Sequence, residues 1–161
     1  MAMDQFIKIG DLKGESADKT HKEEIDVLAW SWGMSNSGSA HMGGGGGSGK
    51  VQVQDLSFTK WVDFASTGLQ LAVASGKHIA EAKLTVRKAG EKPLEYLKIT
   101  MYGVLISSVS TGGSGSEDRL TENVSLNFAK VKVEYTKQDN KTGAGTGTGT
   151  FTWDVKANVK A

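Results

Sequence analysis

At 161 residues, with 19 Lys+Arg against 18 Asp+Glu and a formal net charge of +1, the chain lacks the basic excess with which nucleic-acid binders neutralise phosphate. It has no cysteine, which excludes a disulfide framework, a Cys-ligated zinc and a thiol nucleophile. No apolar run approaches the ~20 residues that a membrane-spanning helix needs, and the length suits one domain over residues 1–161.

The first six residues, Met1-Ala2-Met3-Asp4-Gln5-Phe6, have neither a basic start nor an apolar stretch, so a cleaved signal peptide is not expected. Strands are expected at residues 6–9 and 25–32. In the second, Leu28, Trp30 and Trp32 share one face and Ser31 takes the other. The pair of tryptophans reads as core; an exposed sugar-binding platform is the alternative. Residues 35–49 follow as an extended loop of Gly, Ser, Asn and small apolar residues, longer than the two to five residues of an ordinary hairpin turn. Val51 and Val53 then fall out of phase with Leu56 and Phe58, which marks a slip between two strand segments.

One segment changes period. Val62, Ala65, Leu69, Ala72 and Val73 mark a helix face, widened by Phe64 and Leu71, so a short helix is expected at about residues 63–75. Asp63 or Ser66 is placed to cap its start and Gly76 to end it. Strands resume at residues 82–87, 97–101 and 104–109. Apolar residues are even-numbered over 124–128 and odd over 131–135, which predicts a β-bulge near Ala129-Lys130. Phe151, Trp153, Val155, Ala157 and Val159 alternate with polar residues, which predicts one strand over 151–160. The glycine clusters at 43–49, 112–115 and 143–149 read as loops. The expected fold is mainly β: an antiparallel barrel or sandwich with one short α-helix.

Chemical motifs are weak. Gly44-Gly45-Gly46-Gly47-Ser48-Gly49-Lys50 fits the start of a phosphate-binding loop. However, Val51 stands where a Mg²⁺-binding hydroxyl is needed, and a strand follows where a helix should open. His21, His41 and His78 show no metal-binding spacing and read as surface or loop imidazoles. Glu23-Glu24 and Glu117-Asp118 read as solvated turn charges, since adjacent strand residues point to opposite faces. No G-x-S-x-G elbow is present. Asn123-Val124-Ser125 and Asn140-Lys141-Thr142 are formal glycosylation sequons that carry little weight without a secretory signal. No catalytic residue, cofactor or metal site is expected.

Several segments, in order along nearly the whole chain, resemble the Hcp (haemolysin-coregulated protein) family, which forms the tube of type VI secretion. They are Phe6-Ile7-Lys8-Ile9-Gly10-Asp11 with Gly14-Glu15-Ser16, Ile25-Asp26-Val27-Leu28-Ala29-Trp30-Ser31-Trp32-Gly33, Leu56-Ser57-Phe58-Thr59-Lys60, Gly76-Lys77-His78, Glu95-Tyr96-Leu97, Ser107-Ser108-Val109-Ser110 and Glu122-Asn123-Val124-Ser125-Leu126-Asn127-Phe128. Residues 136–149 are less typical of it.

The resemblance implies a structural protein rather than an enzyme. Six copies would form a ring, and rings would stack into a tube expelled by a contracting sheath, with a baseplate, a VgrG-type spike at the tip and small effectors in the lumen. Neither nucleic acid nor membrane insertion is implied. Such a protein is made in the bacterial cytoplasm and secreted without a cleaved signal.

For ring stacking, the resemblance points to the long loop, with Ser35, Asn36, Gly38, His41, Met42, Gly43 and Gly47 as contact residues. For lumen and effector contact it points to Ser31, placed by strand alternation, and to Gly113 and Ser114 in the small polar turn at 111–116. The alternative function is a monomeric β-sandwich binding module of lectin type.

Overall fold

The computed structural model describes residues 3–37, 50–139, 141–142 and 144–161. β1 (Met3–Ile9), β7 (His78–Lys88), β8 (Leu94–Gly112) and β9 (Thr121–Gln138) lie in that order in one antiparallel sheet, and β6 (Leu56–Trp61) pairs with the first part of β9. Two short strands close this sheet into a barrel. β2 (Ile25–Asp26) pairs with β1, and β3 (Ala29–Ser31) pairs with β6. Between them the Val27 N–H donates to the Gln5 carbonyl at 2.9 Å and the Leu28 N–H to the Thr59 carbonyl at 2.8 Å.

The strand expected over residues 25–32 is therefore a path that changes partner midway, because barrel closure needs one segment to bond both edges. The break turns Leu28 outward, 41% exposed, against the expectation that it extends the tryptophan face. Trp30 and Trp32 do pack, half-buried, against the core.

Alternation fills the interior. Leu56, Phe58, Leu84, Val104, Val124 and Leu126 are almost wholly buried, each worth about 1.5–3 kcal/mol of transfer free energy. The phase change in β9 is present: Phe128 and Val131 are both buried. No bulge lies there, because Met101 faces Val131 and Val104 faces Phe128 in one continuous register. β8 switches phase at the same point. Gly103, at φ +62°, takes a conformation that side chains disfavour, and a Cβ there would sit 3.1 Å from that of Ala129. The irregularity between these two strands falls instead between Ile106 and Ser108.

α1 (Ser66–Ser75) packs against β8. It begins later than expected, and neither Asp63 nor Ser66 caps its first turn. Instead, the Asp63 carboxylate accepts the Ala65 N–H at 2.9 Å, and Ser66 turns inward. Gly76 ends the helix at φ 65°, as expected. Of the expected face, Ala65, Leu69 and Ala72 are buried, but Phe64 is 75% and Leu71 69% exposed.

Two further corrections concern the C-terminal part. The expected strand over 151–160 is a hairpin: β10 (Gly145–Asp154) turns back into β11 (Val159–Lys160), with Asn158 at φ 58° in the turn. Within the glycine cluster read as a loop, Gly145, Gly147 and Gly149 belong to β10 and pair with the end of β9. Threonines alternate with these glycines and supply the β propensity. β4 (Met34–Ser35) pairs with β5 (Gln52–Val53) as a separate two-stranded ribbon.

Candidate functional surface

Where β3, β6, the first part of β9 and the last part of β8 lie side by side, the outward face is built mainly from small uncharged side chains. Register places Ser31, Ser57, Ser125 and Ser108 in one row across the four strands. Ala29, Thr59, Asn123 and Ser110 form the next row. Period two puts the apolar partners Trp30, Phe58 and Val124 on the opposite, core-facing side.

The rows are tied laterally: the Ser57 and Ser125 hydroxyls lie 3.1 Å apart, and Thr59 donates to the Asn123 side-chain carbonyl at 2.7 Å. A shallow depression of about 260 Å³ is lined here by Ala29, Ser31, Ser57, Thr59 and Asn123, with Trp30 and Phe58 below. One carboxylate flanks the rows. Asp55 accepts from Ser107 at 2.7 Å and from the Asn127 amide at 2.9 Å. Such a surface offers hydrogen bonds and close approach within the rows, with the Asp55 carboxylate as an ionic group at its edge.

Beneath the same strands lies a charged core. Lys60 and Glu122 are fully buried and face each other in the register of β6 and β9, with Nζ and Oε2 2.5 Å apart. The ammonium also reaches Asp63 at 2.8 Å and the Ser66 hydroxyl at 3.2 Å. Glu122 accepts from the Ser66 hydroxyl at 2.6 Å and from the Thr111 hydroxyl at 3.1 Å. Burial alone would raise the Glu122 carboxyl; the Lys60 ammonium and the two hydroxyls outweigh it and hold the group below the usual carboxylate range. Every member is paired, so the cluster reads as a structural lock beneath the helix start.

A second polar cluster fastens residues 12–24 to the barrel. Arg87 binds both Asp18 oxygens, at 2.5 and 3.0 Å, and reaches Asp4 at 3.0 Å and Thr20 at 3.1 Å. The guanidinium holds Asp18 well below its ordinary range, and Asp18 in turn pushes Arg87 up. Arg87 lies over the Phe6 ring, and His21 stacks on Phe6 with centroids 4.5 Å apart.

His21 is 8% exposed, and its two ring nitrogens face Glu24 and Glu95. His21 is thus a loop imidazole, as one half of the expectation had it, but it is buried rather than at the surface. The i, i+3 spacing of His21 and Glu24 was the one local hint; Glu95, 74 positions on, gave none. His78 is exposed, as expected, and His41 lies outside the described residues. Among the described residues no group of three or more His, Asp or Glu side chains is arranged to hold a metal ion.

Of the residues singled out for lumen contact, Ser31 is exposed in the first serine row. Gly113 and Ser114 follow the end of β8, beyond the row formed by Trp61, Thr121 and Gly112. Gly113 packs on Leu120, and the Ser114 hydroxyl lies 2.9 Å from that of Ser116. Ser31 and this turn thus belong to one stretch of strands but not to one depression. Of the residues assigned to stacking, Ser35 pairs with Gln52 in the β4–β5 ribbon and Asn36 is exposed beside it. Gly38, His41, Met42, Gly43 and Gly47 lie outside the described residues, as does the glycine run before Lys50. The strand β5 follows Lys50, with no helix to receive phosphate.

Residues 6–135 match the protein family described as "Type VI secretion system effector, Hcp". The chain belongs to the Hcp family of type VI secretion. Its sequence is 65% identical over 162 residues to protein hcp1 of Pseudomonas aeruginosa, with all of both chains covered. The fold is similar to that of Hcp1 from Salmonella typhimurium, at 40% identity and a TM-score of 0.81 with both chains wholly covered. A solved type six secretion system protein is also similar, at 31% identity and a TM-score of 0.92, covering 99% of this chain and 100% of that one. The serine rows and the Lys60–Glu122 lock lie within the stretch that matches the Hcp family. No helix among the described residues is long and apolar enough to cross a membrane.

Proposed function

We propose that this Hcp-family chain is the structural subunit of the type VI secretion tube. Residues 1–161 act as one tube-forming domain, six copies close into a ring, and rings stack into a tube that carries small effectors in its lumen. Family membership carries this reading. The structure supports it in two places. The barrel leaves β10 pairing with β9 on one side and with β11 only at Trp153 and Asp154, so backbone groups along Gly145–Thr152 remain open to another chain. Apolar side chains stand exposed at Phe64, Leu71, Leu120 and Val159, as expected of surfaces that assembly covers.

The uncharged rows around Ser31 supply the lumen surface in this reading. Rows whose own side chains are uncharged let varied cargo touch and leave, and the turn at Gly113 and Ser114 extends them. The ribbon Met34–Ser35 with Gln52–Val53 brings the two ends of the long loop together, so the loop reaches the next ring without disturbing the barrel. Secretion without a cleaved signal, and contact with a VgrG-type spike, baseplate and sheath, follow from the same assignment. Electron microscopy of the purified chain tests the reading. Annular particles that stack with rising concentration support it, and uniformly small compact particles would reject it in favour of a monomeric lectin-type module.

A further inference from the structure

The His21 imidazole is sandwiched edge-on between two carboxylates: Nδ1 lies 2.8 Å from Glu24 Oε2, and Nε2 lies 2.5 Å from Glu95 Oε1. A carboxylate only accepts hydrogen bonds, so both contacts are satisfied only when both ring nitrogens carry a proton. A neutral imidazole has one N–H, and its other nitrogen then faces a carboxylate lone pair to lone pair.

We propose that His21 with Glu24 and Glu95 is a pH-operated latch that holds residues 12–24 against the barrel when the imidazole is charged and loosens them when it is neutral.

The geometry around the ring fits that role. Phe6 covers one face, with Arg87 beyond it. A groove of about 460 Å³, lined by Lys8 of β1, Glu81, Lys83 and Thr85 of β7 and Glu95 of β8, opens beside His21 and gives solvent protons access. The charged groups around the latch are thus Glu24 and Asp18 from its own loop, Lys8 from β1, Glu81, Lys83 and Arg87 from β7, and Glu95 from β8. Lys98 of β8 lies 3.4 Å from the other Glu95 oxygen and is ready to hold that carboxylate once His21 lets go.

What the latch controls is local. Within this loop the Gly14 N–H donates to Glu23, Ser16 to Glu24 and Glu23 to Ser16, at 2.8, 3.0 and 2.9 Å. Asp18 keeps the loop tied to Arg87 and also accepts the His21 backbone N–H at 3.2 Å, and the Glu15 carboxylate accepts the Phe64 N–H at 2.9 Å just ahead of α1. Opening therefore loosens a stapled segment without unfolding the barrel. The pair of contacts holds while both ring nitrogens carry a proton, and one of them is lost when rising pH removes the second proton.

Hydrogen exchange of the full-length chain at pH 5.5 and pH 8, corrected for intrinsic exchange, tests the latch. The expected result is that protection at Gly14, Ser16 and Glu23 falls about tenfold at the higher pH relative to core amides such as Leu84. Glu95→Gln should abolish this difference, since an amide donates to a neutral ring nitrogen as readily as it accepts from a protonated one. The idea is overturned if the native chain shows no pH-dependent loss, or if the variant shows the same loss. Nitrogen NMR of the native ring gives an independent reading. Two protonated nitrogens on His21 at pH 5.5 support the latch, and a single-tautomer neutral ring at that pH would overturn it whatever the variant does.

Discussion

Lys60 and Glu122 are cross-strand neighbours that are both fully buried, with their charged ends 2.5 Å apart inside the barrel. Bringing two charges out of water costs several kcal/mol each, and their mutual attraction offsets that only while both are present. Lys60→Met therefore strands the Glu122 carboxylate and should lower unfolding free energy by about 3–5 kcal/mol. The double variant Lys60→Met, Glu122→Leu should recover most of the loss. Urea unfolding at one fixed protein concentration checks both; a single variant as stable as the native chain would show that the pair contributes nothing.

Acid stability should depend on Asp18. Its carboxyl is held down mainly by the Arg87 hydrogen bonds, and Glu122 is also depressed in the native state. A carboxyl whose native value lies below its unfolded value near 4 contributes fully above that value. The contribution fades as pH falls toward the depressed native range. Asp18→Asn should lower stability at pH 7 and flatten the decline between pH 5 and pH 2, read from urea midpoints. An unchanged acid limb would mean that the Arg87 contact carries no linkage.

Gly14 is a position where packing forbids a side chain. A Cβ there would stand 2.5 Å from the Glu24 carbonyl oxygen and 2.8 Å from the Ile25 Cα, both backbone atoms. Gly14→Ala should cost about 1–3 kcal/mol by forcing residues 12–24 off β2. Thermal unfolding at equal concentration measures it, and an unshifted midpoint would contradict the contact.

Much of the barrel was legible because half-buried strands print their period on the sequence. Leu56 and Phe58, then Val124 and Leu126, alternate as expected and are buried. The errors arise where a local pattern continues through a change of partner. Val155, Ala157 and Val159 keep period two, yet the chain reverses between Asp154 and Val159, helped by the Asp154 carboxylate accepting the Ala157 N–H at 2.8 Å. Leu28 keeps phase with Trp30, yet barrel closure turns it outward. Ser31 was readable from alternation, but its row with Ser57, Ser125 and Ser108 needed the pairing of distant strands. Lys60–Glu122 and His21–Glu95 were unreadable for the same reason, since each joins residues far apart in the chain.

Cargo contact should be sensitive to bulk on the serine row. Ser31 is exposed beside Ser57, so Ser31→Trp adds volume to the outward face without entering the core. Rings should form normally while retention of a co-expressed small effector falls about tenfold through steric exclusion. Equal retention of every effector tried would remove Ser31 from the lumen surface.

Ring stacking should be separable from ring closure. Because Ser35 and Gln52 already pair at the base of the long loop, replacing residues 37–50 by a two-residue Asn-Gly turn suits the hairpin geometry there. The shortened chain should give rings at the native yield and no tubes at any concentration. Long tubes from it, seen by electron microscopy, would show that the loop takes no part in stacking.

Native mass spectrometry of the full-length chain at micromolar concentration tests the central assignment most directly. A tube subunit of this family should fly as one dominant species of six times the single-chain mass, formed without added nucleotide or metal. A spectrum containing the single chain alone across the whole concentration range would contradict the ring, and with it the reading of this chain as a tube subunit.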